Sequence, residues 1–318
     1  MLSRIADSLF WIARYMERAE DTARLLDVTY YMLLEGPARG WRLRWGPLVA
    51  IAGDEAAFAA RYPEATAQSV HRFLGFDVEN PSSIVQCIAK ARENARTIRD
   101  RLSREMWEDL NGLFLTTSGV GVEAALAAGP HEFCSLVKFG CQRFQGVADA
   151  TLPRDEGWHF LRAGQALERT GMTARIVDVQ YHSLVEGASG AGEPDNHQCM
   201  AVLKSVAAYE FYRRRYHSRI EPAKVVELLV LNPIHPRSIR FSVATLESSL
   251  RAISGAPADR YTNEAERLAG RLHDALKYDR IEDVLARGLH AYLADVQRLC
   301  CAIGDAIAAS YFHYAVAS

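Results

Sequence analysis

A 20-residue segment occurs twice in this chain, and the repeat limits the folds that the chain can adopt. Residues 17–36 and 168–187 agree at eleven positions when they are aligned at an offset of 151. These positions are Glu17/Glu168, Arg18/Arg169, Thr22/Thr173, Ala23/Ala174, Arg24/Arg175, Asp27/Asp178, Val28/Val179, Tyr30/Tyr181, Leu33/Leu184, Glu35/Glu186 and Gly36/Gly187. Shared helical composition alone does not produce so many identities, and a repeat sets the number of structural units in a chain.

The correspondence continues downstream at an offset of 155, so it covers most of each half. The identical residues are Leu74/Leu229, Pro81/Pro236, Ser83/Ser238, Ile84/Ile239, Ala89/Ala244, Arg96/Arg251, Ile98/Ile253, Gln142/Gln297 and Arg143/Arg298. The change of offset falls between Gly187 and His197, which predicts a loop there. We therefore expect a tandem duplication of one unit, with residues 1–152 and 153–318 as pseudo-twofold related halves packed as one globular body.

Composition agrees with a globular cytoplasmic protein. The 318 residues are 49% hydrophobic and 24% charged, and a net charge of −2 gives no general basic footprint for nucleic acid, although it does not exclude a local basic patch. The sequence contains no run of 18 or more apolar residues, so we expect no membrane span. The six cysteines lack paired metal-type spacing, so we expect reduced, buried thiols, no metal and no cofactor.

Helical periodicity dominates the chain, and no convincing alternating strand is present. Apolar residues from Leu2 to Leu33 recur at spacings of three and four, which predicts one long helix of roughly 50 Å. Its start resembles a targeting helix, but acidic residues interrupt it and the repeat runs through it. Further helices are expected near 41–61, 65–75, 81–117, 130–149, 155–187, 196–218, 221–230, 236–254, 259–277 and 280–314. The predicted fold is an all-α multi-helix bundle.

Several residues mark expected helix ends. Asn80 can cap a helix whose first position is Pro81, where the missing N–H of proline costs nothing. His235 and Pro236 repeat that arrangement with a poorer cap. Glycines at 36 and 187 are expected to close the two repeated helices.

The repeated Glu-Arg pair has two interpretations. Phe10 and Trp11 flank the charges, so a helix that is apolar on several sides must pair or neutralise them. In the structural interpretation, Glu17, Arg18 and their repeats form a network that joins the two halves. In the functional interpretation, Arg18 and Arg169 bind a carboxylate or phosphate, for which arginine has fork-shaped donors.

A second charged group lies in the helix after Pro81. Arg92 and Arg96 share a helix face with Glu93 and Asn94 beside them, and a solvated basic stripe is the structural alternative to a site. The second half does not keep this group, because residues 247–249 read Glu-Ser-Ser. Conversely, Arg237 and Arg240 replace Ser82 and Val85. Such differences suggest one asymmetric site or partner face rather than two equivalent sites.

Together these motifs resemble the bacterial alpha-E family, which is named for a helical domain with a Glu-Arg motif. The resemblance spans essentially the whole chain. It is carried by the runs 1–7 (MLSRIAD), 10–20 (FWIARYMERAE) and 91–96 (ARENAR), and by Gly157-Trp158, Leu167-Glu168-Arg169 and Pro236-Arg237-Ser238. By resemblance the defining residues are Glu17, Arg18, Glu168 and Arg169, with Arg14, Arg92, Glu93, Asn94 and Arg237 in accompanying motifs. Gln165 stands opposite Arg14, so the two copies differ there.

The resemblance implies partners. Such proteins are typically encoded beside, or fused to, a circularly permuted ATP-grasp protein, often with a transglutaminase-like protease nearby. An ATP-grasp enzyme activates a carboxylate as an acyl phosphate, which an amine attacks. The resemblance thus implies a role in amide-bond formation.

The chain has no recognisable catalytic motif of its own. Neither a Walker-type phosphate loop, a nucleophile elbow nor a His-Glu-x-x-His pair is present, and only Glu156/His159 has di-iron spacing. We therefore expect a non-catalytic partner or substrate-binding subunit of an ATP-grasp ligase for peptides or amino acids. The alternative is a helical enzyme in which Glu17 or Glu168 acts as acid or base in an arginine-lined pocket. Burial and pairing of these residues distinguish the two hypotheses.

Overall fold

The computed structural model describes residues 1–35, 45–188, 196–217, 219–257 and 259–312, and these ranges contain helices but no strand. The all-α prediction is therefore confirmed there. The first half contains α1 (Ser3–Glu35), α2 (Gly46–Ala52), α3 (Glu55–Ala59), α4 (Ala67–His71), α5 (Ile84–Thr97), α6 (Arg104–Ser118), α7 (Val122–Ala128) and α8 (His131–Thr151). The second half contains α9 (Glu156–Ala188), α10 (Asn196–Ser205), α11 (Tyr209–Tyr216), α12 (Pro222–Leu231), α13 (Ile239–Ser254), α14 (Glu264–Tyr278), α15 (Ile281–Ala286) and α16 (Leu289–Ile307). Short π-helical turns occupy Arg72–Phe76 and Ala308–Phe312, and a 3-10 turn occupies Arg99–Arg101.

The longer helices form two groups of four that meet along one seam. In the first group α1 packs against α5 and α8, and α6 packs against both of these helices. In the second group α9 packs against α13 and α16, and α14 packs against both of these. The seam is the contact between α1 and α9, each of 33 residues.

A glycine allows α1 and α9 to approach closely. A Cβ atom placed on Gly164 of α9 would lie 2.2 Å from the backbone oxygen of Phe10. The seam therefore requires a glycine at this position, which fixes the register of the two helices.

The apolar cores of the two groups interlock across the seam. Phe10 of α1 belongs to the core that is otherwise built mainly from second-half residues. Phe160 and Leu161 of α9 belong to the core of the first half. Each long helix thus contributes apolar surface to both cores, so neither four-helix group has a complete core without the other.

The predicted start of the helix after Pro81 is wrong. Ser83, in extended conformation, is the cap of α5, and its hydroxyl accepts a hydrogen bond from Gln86 N at 3.4 Å. Asn80 instead supports the preceding turn, where its side chain accepts from Ser82 N and donates to Phe73 O. The second half behaves in the same way, because Ser238 rather than His235 caps α13.

Several predicted helices are divided. The 81–117 helix is interrupted after Thr97, and Ser103 begins a new helix by accepting a hydrogen bond from Met106 N at 3.1 Å. Residues with positive φ divide three more, namely Gly53 (φ 78) in 41–61, Ala207 (φ 53) in 196–218 and Gly288 (φ 84) in 280–314. These residues leave the right-handed helical region.

The predicted closing glycines fall at the limits of the described chain. Gly187 lies inside the last turn of α9, which runs to Ala188, so it does not close that helix. Gly36 and most of the predicted loop between 187 and 197 lie outside the described residues.

Candidate functional site

The two Glu-Arg pairs exchange partners across the seam between α1 and α9. Arg169 donates from Nε to Glu17 Oε1 at 2.6 Å and from Nη2 to Glu17 Oε2 at 2.8 Å. Arg18 donates from Nε to Glu168 Oε1 at 2.6 Å. Consecutive residues on a helix point about 100° apart, so each glutamate turns to the opposite helix rather than to its neighbouring arginine.

One end of this exchange is filled by further charges, and we call it the closed cluster. It contains three carboxylates and three guanidinium groups, those of Glu17, Glu20, Asp21, Arg24, Arg169 and Arg237. Arg237 donates to Asp21, donates to Glu20 at 2.6 Å, and lies 3.1 Å from Glu17. Arg24 donates to Glu20 at 2.6 Å.

Side-chain amides complete the closed cluster. They donate to carboxylate oxygens of Glu17 and Glu20, and they belong to Gln142, Gln145 and Gln165. All three carboxylates are at most 2% exposed. Charges that are buried, balanced in number and hydrogen-bonded form a structural network.

Burial and pairing shift the pKa values of two acids of the closed cluster in opposite directions. Burial raises the pKa of Glu17, but Arg169 and Arg237 outweigh it and lower the pKa to about 2. Burial and the neighbouring Glu17 and Glu20 raise the pKa of Asp21 to about 7 despite the attraction of Arg237. Glu17 is therefore held ionised by its arginines, whereas Asp21 takes up a proton more readily because it is buried beside two other carboxylates.

The other end of the exchange opens into a cavity of about 400 Å³ between α1, α9 and α16, and we call it the arginine pocket. Its charged lining is Glu168, Arg14, Arg18 and Arg175, together with the exposed Asp305. Its apolar lining includes Phe10, Trp11, Leu167 and Phe312. A cavity of this size with few polar groups on apolar walls is typical of small-molecule sites.

Glu168 is the only carboxylate buried in the described lining of the arginine pocket. Arg14 Nε donates to its Oε2 at 2.8 Å, and Arg18 Nε donates to its Oε1 at 2.6 Å. Burial raises the pKa of Glu168, but Arg18 and Arg14 outweigh it and lower the pKa to about 2. The glutamate is therefore ionised at neutral pH and holds both arginines in place.

The arginines of the pocket retain free donors. Arg14 and Arg18 use Nε for Glu168, and the further hydrogen bond of Arg18 in the described chain is a long one of 3.5 Å to Ser82. Arg14 also lies against the Trp11 ring, 4.5 Å from its centroid. Two guanidinium ends thus face the cavity with their Nη groups available.

Arg175 has no partner among the residues that the structure describes. Its guanidinium group makes no hydrogen bond or ion pair with any described residue, although it lines the cavity beside Glu168. Burial lowers the pKa of Arg175, and the field of Arg18 adds to this while that of Glu168 opposes it. Three guanidinium groups therefore face one buried carboxylate, and the pocket carries an excess of positive charge suited to an anion.

The remaining predicted site residues lie elsewhere. Arg92, Glu93, Asn94 and Arg96 are on α5, where Glu93 accepts from Arg96 at 2.9 Å and pairs with Arg92. Arg92 also donates to Asn111 on α6 and stacks over Trp107. The side chains of Glu93 and Arg96 are about half exposed or more, and no hydrogen bond in the described chain joins this group to the seam. It forms a surface cluster against α6.

Among the charged residues of the two sites, Glu20, Asp21, Arg24, Arg175 and Asp305 were not predicted. The repeat contained a signal for two of them, because Arg24 and Arg175 are an identical pair. Glu20 and Asp21 interrupt an otherwise apolar segment, which marks acids that must be paired when buried.

The described residues contain neither a metal site nor a membrane-spanning helix. No group of three or more histidine, cysteine or acidic side chains in these ranges is placed to hold a metal ion. Among the same residues no helix has the length and apolarity to cross a membrane. The cysteines are free thiols, of which Cys301 is exposed and the other five are buried.

Comparisons with known proteins extend over nearly the whole chain. Residues 1–312 match the Alpha-E family, described as a predicted alpha-helical domain with a conserved ER motif. The chain is 27% identical to the uncharacterized protein Mb2597 of Mycobacterium bovis and 26% identical to the uncharacterized protein Rv2567 of Mycobacterium tuberculosis. Each match covers 92% of this chain and 34% of the relative, so the chain spans about a third of their length. No solved structure matches it.

Proposed function

The chain belongs to the Alpha-E family, and we propose that it is the non-catalytic, substrate-binding subunit of an ATP-grasp system that forms amide bonds. The observation that supports binding is the arginine pocket, in which three guanidinium groups face one buried carboxylate and Arg175 has no described partner. The pocket holds an anionic group of the amino acid or peptide substrate. The ATP-grasp partner supplies the acyl phosphate chemistry.

The organisation of the relatives is compatible with this role. In the mycobacterial proteins the matching region occupies 34% of a longer chain, so the helical unit occurs there with additional sequence. A binding unit that lacks catalytic residues needs a catalytic partner, either fused to it or separate. We propose a circularly permuted ATP-grasp protein as that partner, with a transglutaminase-like protease as a further component, in the cytoplasm.

Catalysis by the chain itself is less well supported. A general acid or base works best with a pKa near the operating pH, whereas the pKa of Glu17 and that of Glu168 are each lowered to about 2. Asp21 has a raised pKa, but it is 2% exposed and is held by Arg237 in the closed cluster, away from the cavity lining. We therefore favour the binding role over an independent enzyme.

We also propose that the two halves arose by tandem duplication. Support comes from α1 and α9, which have the same length and exchange Glu-Arg partners. The two four-helix groups have corresponding neighbours, and Ser83 and Ser238 cap corresponding helices. The proposed units remain 1–152 and 153–318.

Co-expression with a circularly permuted ATP-grasp protein from the same organism tests the proposed function. We expect a complex on size-exclusion chromatography and amine-dependent ATP hydrolysis that requires both chains. Arg18→Gln in the pocket should reduce this hydrolysis, whereas Arg96→Gln on the surface cluster should leave it unchanged. A chain that stays alone at micromolar concentration while the ligase works unaided contradicts the proposal.

A further inference from the structure

The arginine pocket and the closed cluster occupy corresponding positions of the repeat, but different side chains fill them. At the two repeat offsets the matched positions are Glu20/Gly171, Asp21/Met172, Arg237/Ser82 and Gln145/Cys300. In each pair the first residue bears a polar group of the closed cluster and the second is smaller or apolar. The cavity therefore lies where the first half places its own carboxylates.

One arginine is present in both sites with different surroundings. Arg24 of the closed cluster donates to the Glu20 carboxylate at 2.6 Å. Its counterpart Arg175 has Gly171 at the position of Glu20, and a Cβ atom placed on Gly171 would meet nothing within 4 Å. The space that a glutamate side chain would take is open, and it lies beside a guanidinium group without a described partner.

The rest of the pocket provides a second anchor and an apolar path. Arg14 and Arg18 present Nη groups that Glu168 does not use. Phe10 and Leu167 line the cavity with these arginines and can pack against methylene groups. Two ligand carboxylates would bring the count to three carboxylates against three guanidinium groups, which is the balance of the closed cluster.

Building on the proposed function, we infer that the arginine pocket binds a short dicarboxylate of the acidic amino acid type, free or as the terminal residue of a peptide. One carboxylate takes the place of the Glu20 carboxylate and pairs with Arg175. The other meets Arg14 and Arg18, and the aliphatic stem lies on the apolar wall. We expect the pocket to prefer carboxylates to phosphate, because the corresponding arginines of the closed cluster pair with carboxylates.

Calorimetric titration of the purified chain tests this inference directly. Glutarate and L-glutamate should bind saturably, at least tenfold more tightly than L-glutamine and inorganic phosphate. Gly171→Glu should place an internal carboxylate on Arg175 and weaken glutarate binding at least tenfold. Gly112→Glu is the matched control, because Gly112 is also a partly buried helical glycine with open space at Cβ, outside the pocket, and should bind as the wild type does.

Arg175→Gln provides an independent test that does not depend on how Gly171→Glu folds. It should also weaken glutarate binding at least tenfold while the circular dichroism spectrum is unchanged. A tripeptide that ends in glutamate, compared with free glutamate, separates the two sources, and the tighter ligand identifies the one that the pocket uses. Absence of saturable binding, equal binding of phosphate or glutamine, or full binding by either variant overturns the inference.

The titration also separates this inference from the proposed function. It uses the chain alone, so dicarboxylate binding without a ligase complex upholds the inference and contradicts the proposed function. A ligase complex whose chain binds no dicarboxylate supports the proposed function and contradicts the inference.

Discussion

The closed cluster and the arginine pocket begin from the same exchange of glutamate and arginine across the α1–α9 seam, yet one is a filled network and the other a cavity. In the closed cluster, Glu20 and Asp21 supply the carboxylates that the arginines require. In the described lining of the pocket, Glu168 is the one buried carboxylate among three arginines. The Glu-Arg pair is therefore compatible with either role, and the neighbouring residues decide which one it has.

The largest expected effect is the loss of Arg237 from the closed cluster. Arg237→Ala removes a cation that contacts three buried carboxylates, so we expect unfolding to become easier by about 3–5 kcal/mol. Urea denaturation measures this change. Arg96→Ala, at an exposed ion pair, should cost less than about 1 kcal/mol, and similar losses for both variants would show that the cluster is not closed to solvent.

Acid should weaken the ion pairs that Glu168 forms with Arg14 and Arg18. Because pairing lowers its pKa to about 2 from an ordinary value of 4.5, its contribution to folding is present above pH 4.5 and is lost as the pH falls towards 2. This contribution is on the order of 3 kcal/mol. Urea unfolding at several pH values should show Glu168→Gln less stable than the wild type at pH 7, with the difference closing in acid.

Glu93→Gln serves as the control for the acid experiment. Glu93 is about half exposed, so solvent screens its ion pairs and the difference from the wild type should be small at every pH. A pH-independent difference for Glu168→Gln would mean that packing rather than charge sets its contribution.

The smallest expected effect is also the most direct comparison of the two sites. Arg24→Ala removes a donor to buried Glu20 and should cost about 1 kcal/mol or slightly more. Arg175→Ala removes a guanidinium group without a described partner and should change stability by less than about 0.5 kcal/mol. Thermal denaturation of the two variants side by side is sufficient, and an equal loss for both would indicate that Arg175 is satisfied within the protein.

Helical periodicity predicted the all-α fold because the spacing of apolar residues along the chain depends on local helix geometry alone. The same spacing could not show where Ser83 rather than Asn80 caps α5, because both residues are good caps and the buried contact of Asn80 with Phe73 O decides between them. Breaks at Ala207 and Gly288 depend on backbone conformations that the surrounding packing selects.

The sequence predicted part of the candidate site, but not its division into a closed cluster and a pocket. The repeat identified Glu17, Arg18, Glu168 and Arg169, and the difference between Arg237 and Ser82 indicated asymmetry. It did not indicate which end is open, since that depends on where Glu20, Asp21 and Arg237 meet in space. The group around Arg92 looks similar in sequence, but it lies on another helix face.

The exchange of partners across the seam has a consequence for synthesis on the ribosome, where the amino-terminal half is made first. Glu17, Glu20 and Asp21 emerge early, whereas Arg169 and Arg237, which bind them, are made about 150 and 220 residues later. Until then Glu17 and Asp21 lack these cations, whereas Glu20 already has Arg24 on its own helix. A chain that ends before position 169 therefore lacks the guanidinium groups that pair with Glu17 and Asp21 in the folded protein.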